Sequence, residues 1–401
     1  MRKVVTAAWL WTGTGASPAL IRNPVLEMED GLVTGIWSLA ERALPAASNA
    51  VRLDFPGATL APAFFDVHIH GAAGHDVMEA TPESLRAVGK FLASRGTGSF
   101  LATTVTAPLD TTLRSLAGLT LQIDAAHKEH WQGAKPLGIH LEGPFLSHAK
   151  RGAHPTEHLL APDIQVFDRL FEASNGLVRL MTLAPELPGA AELAAHATAK
   201  GVRVSVGHSN ATAEETQRVL AAGAVSATHT FNAMRQLDHR EPGILGTVLT
   251  ADSLYAELIC DGIHVHPAIV RMWWRAKGSH RAILVTDAIS ATGMGDGDFL
   301  LGGIPVQVAN GRATLKGSEA SPGGGVLAGS VLTLDQALEN FVAWTGESLP
   351  AALPLLTRNP AAMTGLADST GSIRIGQPAN FVALNRQGAL IASVIRGENQ
   401  A

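Results

Sequence analysis

The sequence predicts an α/β chain: a (β/α)8 TIM barrel with a small β-sandwich-like domain built from both chain ends. Three observations carry this. Between residues 60 and 290 a short apolar run ending in a polar residue recurs eight times. Most intervals between the runs are amphipathic, with apolar residues at helical spacing. The flanks lack that alternation and read as short strands and turns. Eight strands alternating with helices argue for a closed parallel barrel.

In order, the runs are APAFFDVHIH (61–70), GSFLATT (98–104), PLGIHLE (136–142), LVRLMTL (177–183), VRVSVGH (202–208), AVSATH (224–229), YAELICD (255–261) and AILVTD (282–287). Between them, ESLRAVGKFLASRG (83–96) and AEETQRVLAAG (213–223) read as helices, the second stopping at Gly223. Residues 1–58, 300–317 and 371–401 are strand-like, and Asn310-Gly311 between two such runs signals a hairpin. The expected division is therefore residues 1–58 with 300–317 and 371–401 as the β domain, and 59–299 with 318–370 as the catalytic barrel. Two helix-like segments, LTLDQALENFVAWTG and PAALPLLTRNPAAMTGL, precede the last β stretch.

Composition narrows the function classes. A chain of 401 residues exceeds one ordinary core, and 46% apolar against 16% charged residues excludes disorder. A net charge of −5 argues against nucleic-acid binding. The single cysteine, Cys260, excludes a disulfide within the chain and fits a reducing cytoplasm, where the protein is expected. The start, MRKVVTAAWLWTGTG, reads as strand and turn, its apolar stretch being broken by Thr6, Thr12 and Gly13. No run reaches the ~18 apolar residues of a membrane helix, so no membrane association is expected.

Ligand-type residues gather where such a barrel keeps its active site, at the C-terminal ends of the strands. His68 and His70 lie two apart on one strand face, as do His140 and Glu142. His208, His229 and Asp287 end the fifth, sixth and eighth runs. Two imidazoles and a carboxylate can hold a divalent metal and leave room for water, and a nearby carboxylate can move the proton. Taken singly, each histidine of the 16 is more often a surface or hydrogen-bonded residue. His75, His127, His130, His148, His158, His196, His239 and His280 are expected to have no catalytic part. Burying the others together without a metal would be costly.

HLEGPF, GAH, VGHSNA, THTFNAM, REPG, DGIHV, VTDA and VLAGS occur in the order seen in the N-acetylglucosamine-6-phosphate deacetylases of the amidohydrolase superfamily. The resemblance runs from FDVHIHG to GQPANFVAL. It implies that Glu142, His208 and His229 are metal ligands and Asp287 the catalytic acid/base. It implies that Ala153 and His154 contact substrate, His154 polarising the acetyl carbonyl. Asn232 and Ala233 are expected to open a helix whose N–H groups meet a phosphate. Arg240 is implied to clamp the phosphate across a homodimer interface, guanidinium being a fork of donors matched to it; without the resemblance it reads as a solvated loop arginine. Asp261, Gly262, Ile263 and His264, with Leu327, Ala328 and Gly329, are implied sugar contacts. Family members differ at His-x-His: some lack both histidines and keep one metal, and others have them, so His68 and His70 either hold a second metal bridged by Glu142 or line a one-metal site, giving one or two divalent metals per subunit. Zinc suits these ligands, and iron or manganese would too. Gly323 to Gly325 follow no strand and open no helix with a lysine, so they read as a loop, not a phosphate cradle. Trp273-Trp274 read as helix packing.

The implied reaction is hydrolysis of the acetamide of a small amino-sugar phosphate. The rivals are the galactosamine epimer's deacetylase, a cyclic-amide hydrolase, an aminoacylase, and a non-catalytic scaffold on the same barrel. A dihydroorotase-type enzyme would offer a lysine on the fourth run, and VRLMTLAPE has none.

Overall fold

The computed structural model describes residues 1–15, 20–45, 50–128, 131–318 and 324–400. His130 and Gly323 lie outside them. The eight expected runs form one parallel sheet. Its strands, one to eight, are Phe64–Ile69, Thr97–Thr104, Lys135–Glu142, Val178–Leu183, Arg203–Val206, Ala224–Ala227, Tyr255–Ile259 and Ala282–Val285, each paired with its sequence neighbour. Strands one and two are buried at every position, as expected of a parallel sheet covered on both faces. The seam between strands eight and one closes just past their ends. Asp287 N–H donates to the His68 carbonyl (2.9 Å), and the N–H groups of His70 and Gly71 donate to the Ala288 carbonyl (2.8 and 3.0 Å).

Local chemistry sets the helix limits. Pro82–Ser94 starts at Thr81, which exchanges capping bonds with Ser84, and buries Leu85, Val88 and Leu92. Ala213–Ala221 starts at a Thr212–Glu215 capping box and ends just before Gly223, whose φ is +114°. Leu334–Thr345 stops at the left-handed Gly346. The stretch PAALPLLTRNPAAMTGL is not one helix. Its prolines divide it into Leu349–Ala352, a 3-10 turn Leu353–Leu356 and Arg358–Thr364. Among the described residues no helix is long and apolar enough to cross a membrane.

The chain ends meet in a second, eight-stranded sheet. Its order is Glu398–Asn399, Leu390–Ile395, Phe381–Leu384, Val51–Pro62, Arg2–Trp11, Pro24–Glu29 and Leu32–Ser38, with Leu20–Arg22 also on Arg2–Trp11. Val5, Leu10, Leu26, Leu60, Phe381 and Val394 form its core. Val51–Pro62 runs straight through the expected boundary at residue 58 and enters the barrel one residue later.

The stretch 300–317 does not join that sheet. Gly297–Leu301, Ile304–Ala309 and Arg312–Leu315 form a separate antiparallel sheet, turning at the expected Asn310-Gly311, both at positive φ, and Thr314 also bridges to Leu327. The reason is its apolar face. Leu301, Val306, Val308 and Ala313 pack on Val105, Ile289 and Ala328, beside the C-terminal ends of the second and eighth barrel strands. The hairpin thus covers the barrel mouth.

Candidate metal centre and active site

Six strand-end residues converge at that mouth. His208 Nε2 and His229 Nε2 lie 3.2 and 3.1 Å from Glu142 Oε1 and 3.0 Å from each other. The other oxygen, Glu142 Oε2, is 3.4 Å from His68 Nε2 and 3.2 Å from His70 Nε2. Asp287 Oδ1 closes this second group at 3.5 Å from His68 Nε2 and 3.1 Å from His70 Nε2. All six residues are buried. Glu142 therefore belongs to two clusters, Glu142–His208–His229 and His68–His70–Glu142–Asp287.

Three of the positions carry backbone strain. His208, His229 and Asp287 have φ of +47°, +27° and +52°. Each lies two residues beyond its strand, where the chain must turn sharply to aim the side chain over the mouth. Left-handed backbone at a non-glycine residue persists only where the surroundings enforce it, and it gathers at functional sites.

The donor set fits a divalent cation. A tetrahedral ion with bonds of about 2.0–2.1 Å separates its ligands by roughly 3.3 Å, close to the observed spacings. His208 Nδ1–H donates to the Lys150 carbonyl (3.0 Å) and His70 Nδ1–H to the Thr103 carbonyl (3.1 Å). A carbonyl only accepts, so each ring keeps a proton on Nδ1 and has Nε2 to offer a cation. His68 Nε2 is buried without a hydrogen-bond partner.

Electrostatics follow from this crowding. Burial works against charge on His68 and His70, but the Glu142 and Asp287 carboxylates outweigh it. His68 is held well above the usual imidazole range and His70 is pushed up to about 9. Burial likewise opposes ionisation of Glu142 and Asp287, and the facing histidines hold both carboxyls below their ordinary range. His154 behaves oppositely. Burial lowers it to about 4, so it is neutral at pH 7. Its Nδ1 accepts from the Thr106 N–H (3.3 Å) and sits 2.8 Å from Thr106 Oγ1. The ring proton is thus on Nε2, which faces Glu142 Oε2 at 3.6 Å. Gly143, at φ +92°, is required here, because a Cβ would collide with the Thr106 hydroxyl that holds His154.

A cavity of about 330 Å3 opens onto this group. Ala153, His154, Asn232, Ala233, His264, Leu327 and Gly329 line it, together with Arg312 from the covering hairpin. A larger cleft of about 680 Å3 is lined by residues of the chain-end sheet and Trp131–Gly133, and by none of the strand-end ligand residues.

Other expected positions are not on the wall. Ala328 is buried in the hairpin core. Ile263 is exposed. Asp261 holds His264, with Oδ2 2.6 Å from its Nδ1 and Oδ1 accepting from the N–H groups of Ile263 and His264. Arg240 is exposed and does not line the cavity of its own chain. Asn232 and Ala233 do not open a helix. Phe231 and Ala233 have φ of +82° and +49°, and Met234 bridges to Ser209, so the chain continues as a turn. The next helix is Gly243–Thr250. His140 points into the barrel, between Thr182 Oγ1 (2.8 Å) and the Val67 carbonyl (3.2 Å). Trp273 is core, and Trp274 Nε1 donates to Glu347 (2.7 Å).

Sequence reasoning missed Glu257 and Thr106. Glu257 lies inside strand seven, fully buried, with Oε2 3.3 Å from His68 Nδ1. A carboxylate within the apolar run YAELI was the available signal.

Comparison with known proteins agrees with this geometry. Residues 59–399 match the Amidohydrolase family. The N-acetylglucosamine-6-phosphate deacetylase of Bacillus subtilis (strain 168) is 34% identical over 94% of this chain and 93% of its own length. The N-acetylgalactosamine-6-phosphate deacetylase of Escherichia coli O157:H7 is 39% identical over 81% of this chain and 83% of its own. A variant of the Mycobacterium smegmatis N-acetyl-D-glucosamine-6-phosphate deacetylase, solved in complex with N-acetyl-D-glucosamine-6-phosphate, superposes with a TM-score of 0.89 at 33% identity. That match covers 100% of this chain and 99% of the other. Strand-end residues of ligand type, a buried two-cluster centre and these matches agree, and the chain belongs to the amidohydrolase family.

Proposed function

We propose that the protein hydrolyses the acetamide of N-acetylglucosamine 6-phosphate to glucosamine 6-phosphate and acetate. The observation that carries the reading is the Glu142 carboxylate shared by two ligand clusters, with Asp287 and His154 beside it on one cavity wall. Glu142, His208 and His229 hold one divalent cation. His68 and His70, with Glu142 and Asp287, hold a second, a reading supported by the partnerless His68 Nε2. Zinc suits the donors best, and metal analysis of the purified protein decides between it and iron or manganese. When bound, such a cation activates water and polarises a carbonyl.

The chain's own residues do the rest. Asp287, ionised and 3.1 Å from His70, takes the proton of the attacking water and returns it to the departing nitrogen. His154, neutral and protonated on Nε2, donates to the carbonyl oxygen as charge develops there. The cavity wall at Asn232, Ala233 and His264 holds the sugar phosphate, so that the acetamide is presented in register. The reading includes a homodimer in which Arg240 of the partner subunit completes the phosphate site, consistent with its exposure and its absence from its own cavity.

Acetate release from N-acetylglucosamine 6-phosphate, with and without chelator, tests this. The identity to a galactosamine-epimer deacetylase makes that epimer the control. Faster turnover of the glucosamine substrate is expected, and preference for the other epimer reassigns the substrate while keeping the chemistry.

The metal reading also fixes a pH dependence. Without a cation His68 and His70 carry protons at neutral pH, and a cation must expel them. Loading this cluster at pH 7 is therefore expected to release protons. Affinity should fall about tenfold per pH unit for each proton released as the pH drops below the raised His70 value. Titration calorimetry in buffers of different ionisation enthalpy counts the protons.

A further inference from the structure

The buried carboxylate of Glu257 has no part in the chemistry above. It sits on strand seven with no solvent exposure. Its Oε2 lies 3.3 Å from His68 Nδ1 and 3.4 Å from the N–H of His229, while Oε1 has no hydrogen-bond partner. A half-satisfied buried carboxylate is a poor device for packing, because desolvating it costs more than two weak bonds restore. The same arrangement is a good device for orienting a ligand. His70 and His208 already have their Nδ1 protons fixed by backbone carbonyls. His68 has no carbonyl at that place, and Glu257 stands there.

We propose that Glu257 is a positioning residue: it holds the Nδ1 proton of His68, so that Nε2 faces Glu142 and Asp287 and the cation of the His68–His70 cluster is retained. A charged acceptor does this more strongly than a carbonyl, and it raises the basicity of the ring it holds. The contact is selective. Glu257 reaches the side chain of a ligand in one cluster and only a backbone N–H in the other. Loss of Glu257 therefore affects the His68–His70 cation and leaves the one at Glu142, His208 and His229 in place. This inference rests on the two-cation reading above.

The test uses zinc-loaded protein dialysed against graded concentrations of a chelator, with zinc per subunit counted by atomic emission. In the wild type, two zinc ions should leave at distinct chelator concentrations. In Glu257→Gln, which keeps the shape and removes the charge, one should leave at roughly 10–100-fold lower chelator. The other should move less than threefold. The same variant should lower kcat for N-acetylglucosamine 6-phosphate and leave KM within threefold. In a His68→Asn background Glu257→Gln should change nothing further, since the ring it positions is gone. Glu257→Leu should deepen the selective zinc loss; if it does not fold, Glu257→Gln alone decides. Unchanged retention in Glu257→Gln overturns the proposal, as does equal loss of both ions or an effect that persists without His68. A wild type that binds one zinc removes the two-cation reading and this inference with it, and that result is read on the wild type alone.

Discussion

Asp287→Asn is expected to lower kcat by about 10²–10⁴-fold, the range for loss of a general acid–base group, while metal at Glu142, His208 and His229 stays. The reasoning is geometric. Asp287 follows strand eight at a left-handed φ of +52°, and its N–H is tied to the His68 carbonyl, so the backbone aims the side chain whichever residue stands there. Asparagine keeps that shape but cannot receive a proton. The carboxylate is held ionised by His68 and His70 against the penalty of burial, so it is ready to accept at neutral pH. Steady-state kinetics with metal analysis on the same sample checks this. Turnover within tenfold of wild type would remove Asp287 from the proton-transfer role.

Glu142→Gln is expected to be more damaging and to differ in kind. Its two oxygens serve His208 and His229 on one side and His68 and His70 on the other. Both cations should be lost, and activity with them. Removing one partner of a buried charged pair costs about 3–5 kcal/mol, so the melting temperature should fall as well. The two substitutions are separated by metal content: retained at the three-ligand cluster in Asp287→Asn, absent in Glu142→Gln. A Glu142→Gln protein holding its full metal complement would show that the histidines suffice and that the carboxylate does not bridge.

Much of the fold and of this site could be read from sequence because the informative letters fall at run ends. Asp66, His68 and His70 follow LAPAFF, Glu142 closes GIHLE, and His208, His229 and Asp287 each follow a short apolar run. A barrel that puts all strand ends on one face turns those separate signals into a single location. What escaped the sequence depends on partners far along the chain. Glu257 is a lone carboxylate in the apolar run YAELI, and its meaning comes from His68, 189 residues away. THTFNAM reads as a helix start, but the bridge from Met234 to Ser209 and the left-handed Phe231 and Ala233 decide otherwise. Alternation in 300–317 marks a hairpin correctly, yet nothing in it names the surface that its apolar side will cover.

The closure between strands eight and one has a consequence for biosynthesis. A ribosome delivers His68 and His70 first, Glu142 next, His208 and His229 later, and Asp287 last. Until the eighth strand emerges, the first has an unpaired edge and its histidines face open water. Val51–Pro62 must wait longer still, for Phe381–Leu384. The nascent chain therefore lacks a complete catalytic pocket until the eighth strand has closed on the first.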